Sequence, residues 1–212
     1  MDAIVFDWDG TLIDSLAPLY AANVAVLASF GITLERDDYL AAYRPDWRAM
    51  YRRFGIPAGE VEEAGQRWAR FYGPGDGAVP FPGVPEGLRR LAARGYRMGV
   101  VTAGDRPVVT EQAIRFGIDD LLPVRVHADD LPVTKPHPEP LRLVLEGLGV
   151  TDPTRALYLG DVPDDMRMAV AAGATGIGIV GSFSPRALRR AGATSVHRSV
   201  VDWIDGFLEG AG

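Results

Sequence analysis

From residue 82 onward, short apolar runs alternate with helix-length segments, and this alternation limits the possible folds more than any other feature of the chain. Apolar runs at 96–102, 122–127, 156–160 and 175–180 predict strands. Between them, 85–94, 107–116, 138–148 and 163–172 predict helices, stopped by Gly95, Gly117, Gly149 and Gly173. Terminal helices are expected over 185–191 and 201–208. Ala3-Ile4-Val5-Phe6 adds one more strand of buried type. Alternating strands and helices with short links form a parallel sheet covered on both faces. The expected fold class is α/β, with a doubly wound parallel sheet.

Residues 15–81 break this rhythm. Asp14-Ser15 reads as an N-cap for a helix over 17–30, stopped by Gly31. Further helices are expected over 37–43, 45–54 and 57–71, with no convincing strand among them. Gly73-Pro74-Gly75-Asp76-Gly77 and Pro80-Phe81-Pro82-Gly83 end the pattern. The expected domains are a core of 1–14 and 82–212 and an all-helical insert of 15–81, with hinges at 12–16 and 73–77.

Composition narrows the function classes. At 212 residues the chain can hold one large domain or a domain plus a smaller insert, and with 47% hydrophobic and 24% charged residues it reads as an ordinary soluble globular protein. A net charge of -6 argues against nucleic acid as the main partner, because phosphate backbones need a basic face. The absence of cysteine removes disulfides, thiolate nucleophiles and thiolate metal sites. No basic segment precedes the first apolar run, and no run approaches the ~20 residues that span a bilayer. A cytoplasmic protein, without membrane contact and as a monomer or weak homodimer, is the expectation. Of the 22 basic residues, 21 are Arg and one is Lys, Lys135. A lone Lys in so arginine-rich a chain marks a place for a compact ammonium.

In such sheets, ligands bind at the carboxyl ends of the strands. The first strand is followed by Asp7 and Asp9, with Gly10 to turn the backbone. Thr102-Ala103-Gly104-Asp105 follows the next, Thr134-Lys135-Pro136 comes shortly after the third, and Gly160-Asp161 through Asp165 follows the fourth. The sequence thus assigns acids, a hydroxyl and the only lysine to strand ends. Clustered carboxylates suit a hard cation such as Mg²⁺, whereas zinc finds neither Cys nor paired His. A carboxylate can also be a nucleophile toward phosphorus, with a second acid exchanging protons. Hydroxyl, ammonium and backbone N–H groups would stabilise the phosphoryl group in flight.

The motifs Asp7-Trp8-Asp9-Gly10-Thr11, Val100-Val101-Thr102, Lys135-Pro136 and Gly160-Asp161 to Asp165 occur in an order that strongly resembles the haloacid dehalogenase superfamily of phosphatases. The helical insert, Pro82-Gly83-Val84 and Lys135-Pro136-His137-Pro138-Glu139-Pro140-Leu141 are similar to its phosphoglycolate phosphatase-like group. The resemblance implies a Rossmann-like core with a helical cap and a Mg²⁺-dependent phosphatase acting through an aspartyl-phosphate. Asp7 would be nucleophile and metal ligand, and Asp9 acid/base with its carbonyl on the metal. Asp161 would be a direct ligand, with Asp165 acting directly or through water and Asp164 a weaker substitute. Thr102, Ala103, Gly104 and backbone near Trp8 would hold phosphate, and Lys135 would pair with Asp7 and the phosphoryl oxygens. The substrate would be a small phosphorylated metabolite, phosphoglycolate-like or a sugar phosphate.

Three departures stand out: the bulky Trp8 between the acids, Val162 where Ser or Thr is frequent, and Asp105 beside the expected phosphate loop. In the cap, Arg44 and Arg48 are candidates for reading an anionic leaving group, against the alternative of a solvated helix face. Tyr20 and Asn23 are weaker candidates. A phosphoglucomutase-like transferase and a non-catalytic phosphate-binding module are the competing readings. Asp9 argues against dehalogenation, and a cap without Lys argues against Schiff-base hydrolysis.

Overall fold

The computed structural model describes residues 1–42, 46–73 and 77–210, with only the backbone of Leu40. Two compact units emerge, one of Met1–Asp14 with Val79–Gly212 and the other of Ser15–Ala78.

The first unit is built on a six-stranded sheet. Its strands are β1 (Ala3–Phe6), β4 (Arg97–Val101), β5 (Val124–Val126), β6 (Ala156–Gly160), β7 (Thr175–Ile179) and β8 (Ser195–His197). They lie side by side in the order β5-β4-β1-β6-β7-β8, every pairing parallel. Successive connections run outward from β1 to β5, return to β6 and run outward again. The order therefore reverses between β1 and β6, the place where doubly wound sheets open a crevice.

Helices α5 (Val84–Ala93), α6 (Arg106–Arg115), α7 (Glu139–Gly147), α8 (Pro163–Ala172), α9 (Pro185–Ala191) and α10 (Val200–Gly210) provide the outer layers. Right-handed crossovers put α5 and α6 on one face and α7 to α9 on the other. The latter face is filled by Val5, Tyr158, Val101, Val144, Met166 and Leu188, all buried in one apolar cluster.

β8 is absent from the sequence reading. Ser195-Val196-His197 is three residues long, polar at both ends and only half-buried, so no apolar run announces it. A two-residue ribbon, β2 (Ile13–Asp14) against β3 (Val79–Pro80), is also too short for a pattern. That ribbon places Val79 and Pro80 with the core unit, where the sequence reading ran the insert to residue 81.

The second unit contains α1 (Leu16–Ala28), α2 (Arg36–Ala42), α3 (Trp47–Arg53) and α4 (Val61–Tyr72). Its own apolar cluster includes Val26, Leu27, Tyr39, Met50, Tyr51 and Ala64. Asp46 caps α3 by accepting from the Ala49 N–H at 3.0 Å. Ser15, expected as a cap with Asp14, occupies the N-cap position of α1 without a side-chain hydrogen bond. Among the described residues, no helix is long and apolar enough to cross a membrane.

Candidate active site

β1 ends at Phe6, and the backbone N–H of Asp7 still bonds to Leu159 O at 2.8 Å. The next turn is tight: Leu12 N and Ile13 N both donate to Trp8 O, at 2.9 and 3.0 Å. Gly10 makes it possible in two ways. Its φ of +79° is unfavourable for residues with a side chain, and a Cβ there would lie 2.6 Å from Asp161 Oδ2. So the glycine of the first motif lets the acid at the end of β6 approach the acids at the end of β1.

Asp7, Asp161 and Asp165 are all buried, and each offers a carboxylate oxygen within 4.8 Å of the others. Lys135 is buried beside them. Its Nζ donates to Asp7 Oδ1 at 2.5 Å and lies 2.8 Å from Asp165 Oδ1. Three acids against one ammonium leave an excess of negative charge in a dry place. The physical consequence is protonation or a cation. Burial pushes Asp7 up to about 7, against the opposing pull of Lys135. Burial, then the charges of Asp7 and Asp165, pushes Asp161 well above the usual carboxylate range. Burial pulls Lys135 down, but Asp165 and Asp7 outweigh it and the net displacement is upward. A divalent cation on oxygen ligands fits this donor set.

Asp165 has both oxygens engaged. Oδ1 accepts from Tyr158 at 3.1 Å as well as facing Lys135, and Oδ2 accepts from the Val162 N–H at 3.1 Å. This is one half of a capping box; Val162 has no acceptor with which to return the bond. Gly160 is needed beneath it, since a Cβ there would lie 2.2 Å from Asp165 Oδ2. Asp164 turns away to Arg167 at 2.6 Å.

On the other side of β1, the Gly104 N–H donates to Thr102 Oγ1 at 2.9 Å, leaving the hydroxyl hydrogen for another acceptor. A Cβ on Gly104 would meet Thr102 Oγ1 at 3.2 Å and Asp9 Oδ2 at 3.4 Å, so the Asp9 carboxylate lies against this loop. Ala103 and Gly104 are half-buried in the turn that enters α6. Burial, then Asp129, raises Asp105 above its ordinary range.

The Trp8 indole is buried, and its Nε1 donates to Gln112 Oε1 on α6 at 2.7 Å. It ties the turn after β1 to the helix behind the Thr102 loop. In the second unit, Arg48 Nε and Nη2 donate to Glu62 at 2.6 and 3.2 Å, and its guanidinium lies 4.2 Å from the centre of the Trp47 ring. Arg44 lies outside the described residues. Asn23 accepts from Tyr51 at 2.9 Å and donates to Leu19 O at 2.8 Å, and Tyr20 donates to Leu34 O at 3.1 Å, all within the second unit.

Two contributors went unremarked in the sequence reading. Gly181, beyond β7, comes so close that a Cβ would lie 3.0 Å from Asp161 Oδ2. Tyr158 sits inside what reads as a plain apolar strand; the signal was a phenol in a strand buried at all five positions.

The chain is similar to known hydrolases in sequence and in fold. The family model described as haloacid dehalogenase-like hydrolase matches residues 4–179. A phosphoglycolate phosphatase of Pectobacterium atrosepticum is 32% identical over 191 residues, covering 85% of this chain and 81% of that protein. A solved structure described as a predicted phosphoglycolate phosphatase, from Haemophilus somnus 129pt, has the same fold, with a TM-score of 0.86, 23% identity and 98% coverage of both chains. At a TM-score of 0.75 and 23% identity, with 99% of both chains covered, the fold extends to a protein from Thermotoga maritima described as a candidate beta-phosphoglucomutase. The chain belongs to the haloacid dehalogenase-like hydrolase family.

Proposed function

We propose that this protein is a divalent-cation-dependent phosphatase that hydrolyses a small phosphorylated metabolite, phosphoglycolate-like or a sugar phosphate. The observation that carries the reading is the buried set of Asp7, Asp161 and Asp165 with Lys135 seated on Asp7 and Asp165. Asp7 attacks phosphorus with a carboxylate oxygen, and the bond from phosphorus to the leaving oxygen breaks. Asp9 gives its proton to that oxygen. It then takes a proton from water, whose oxygen attacks phosphorus, and the Asp7–phosphorus bond breaks.

Lys135 holds the Asp7 carboxylate in place and faces the charge that builds on the phosphoryl oxygens. The Thr102 hydroxyl, its oxygen held by the Gly104 N–H, donates to the same group. Backbone in the Trp8 turn and beside Ala103 completes the cradle. Asp7, Asp161 and the Asp9 carbonyl would hold Mg²⁺, with Asp165 reaching it through water because both its oxygens already accept bonds. Mg²⁺ supplies charge neutralisation at the phosphoryl group.

Phosphate release from a panel of phosphorylated metabolites, with and without Mg²⁺ and with Asp7→Asn in parallel, tests the reading. Hydrolysis of a few compounds, lost on chelation and in Asp7→Asn, is expected. Hydrolysis that survives Asp7→Asn would remove the covalent mechanism. Transfer to a second sugar phosphate in place of phosphate release would favour the transferase.

A further inference from the structure

Tyr158 is central in β6, where all five positions are buried. Register places it opposite Val5 on β1, and Asp7, two residues beyond Val5, continues that side of the sheet. Its neighbours are apolar, so phenylalanine would pack there as well, and a buried hydroxyl must find a partner. The phenol oxygen lies 3.1 Å from Asp165 Oδ1 and 3.2 Å from Val101 O, two acceptors for one hydrogen. Asp165 Oδ1 also faces Lys135 Nζ at 2.8 Å, and that ammonium is 5.5 Å from the centre of the Tyr158 ring. The same ammonium donates to Asp7 Oδ1. A continuous path therefore runs from a core phenol through Asp165 and Lys135 to Asp7.

We infer that Tyr158 is a positioning residue, its hydroxyl holding Asp165 Oδ1 toward Lys135 so that the ammonium stays on the Asp7 carboxylate. Tyr158 has no contact with substrate to make from inside the sheet; it acts through Asp165. The Val162 N–H holds the other oxygen, so the carboxylate is fixed at both ends. The consequence for turnover rests on the phosphatase reading above. The held ammonium does not.

Tyr158→Phe removes the hydroxyl and keeps the ring. Lys135 is the only lysine, so ¹³C-lysine labelling of the whole chain yields a single ε-methylene probe. Two distinct ε-proton shifts are expected in the wild type, because a held ammonium keeps the two protons in different surroundings. In Tyr158→Phe they are expected to converge. In parallel, kcat on the best panel substrate is expected to fall about tenfold, with KM within about twofold and the unfolding midpoint within a few degrees. Unchanged ε-proton shifts in Tyr158→Phe overturn the inference, as does one averaged shift in the wild type. A drop in kcat that merely tracks a large fall in the unfolding midpoint also overturns it, since packing alone would account for that. If the wild type releases no phosphate from any compound, the phosphatase reading fails, while the lysine spectra still decide the role of Tyr158.

Discussion

Lys135 and the acids around it define the site at the scale of single residues. The ammonium is compact enough to sit between Asp7 and Asp165 while almost wholly buried. A guanidinium is larger and planar, and it does not fit a buried space that holds a compact ammonium against two carboxylates. Lys135→Arg is therefore expected to lower kcat by about 100-fold or more, measured on the best panel substrate. The acids give a pH signature. Asp7 is raised to about 7 from the usual range near 4. Between those values the cation-free native state holds a proton that the unfolded chain releases, so stability present below about pH 4 is lost as the pH rises toward 7. Under the proposed reading Mg²⁺ binds the ionised acids and offsets that loss. The rise in unfolding midpoint on adding Mg²⁺ should be larger at pH 8 than at pH 5; equal rises would show that the acids of the set are already ionised at pH 5. Arg48 bonds Glu62 and lies over the Trp47 ring at the surface, so Arg48→Ala should change the unfolding free energy by less than about 1 kcal/mol, read by denaturant unfolding.

Strand ends govern the next scale. The ends of β1, β4 and β6 carry Asp7 and Asp9, Thr102, and Asp161 and Asp165, and glycines set how closely these groups approach. The β6–α8 turn shows this well. Gly160 leaves room for Asp165, whose Oδ2 then caps the Val162 N–H while Oδ1 faces Lys135. Gly160→Ala puts a methyl group 2.2 Å from that carboxylate, so either the acid or the strand must shift. The expected result is a loss of about 1–3 kcal/mol in unfolding free energy, from overpacking, with a disproportionate fall in kcat. Retention of wild-type turnover would show that Asp165 has no role in holding Lys135. Legibility differed by element for physical reasons. β6, α8 and α9 occupy the expected 156–160, 163–172 and 185–191 because apolar runs, proline starts and glycine stops coincide there. β8 escaped notice because an edge strand half in solvent needs little apolar surface.

At the scale of the whole chain, the insertion is the organising fact. Its two ends leave from adjacent strands, Asp14 opposite Val79 in the antiparallel ribbon. Each unit has an apolar cluster drawn from its own residues. Replacing 15–78 by Asn-Gly would close β2 and β3 into an ordinary hairpin. The shortened chain is expected to unfold cooperatively by circular dichroism and to keep its Mg²⁺-dependent rise in midpoint. A chain that fails to fold would show that the core depends on the insert for stability.

Local pattern was enough for the α/β core, and it singled out Asp7, Lys135, Asp161 and Asp165, candidates that the structure brings together. Strand-end chemistry is written in short segments, and parallel strands bring such segments together whatever lies between them. Local pattern could not say which contacts these groups make. That Asp165 spends both oxygens on protein donors, that Trp8 turns to Gln112, and that Gly181 comes up to Asp161 are matters of approach between segments far apart in sequence. The role of Tyr158 belongs to the same class. Its hydroxyl is invisible in an apolar strand until packing brings Asp165 and Val101 within reach, because a hydrogen bond depends on distance and direction and not on sequence order.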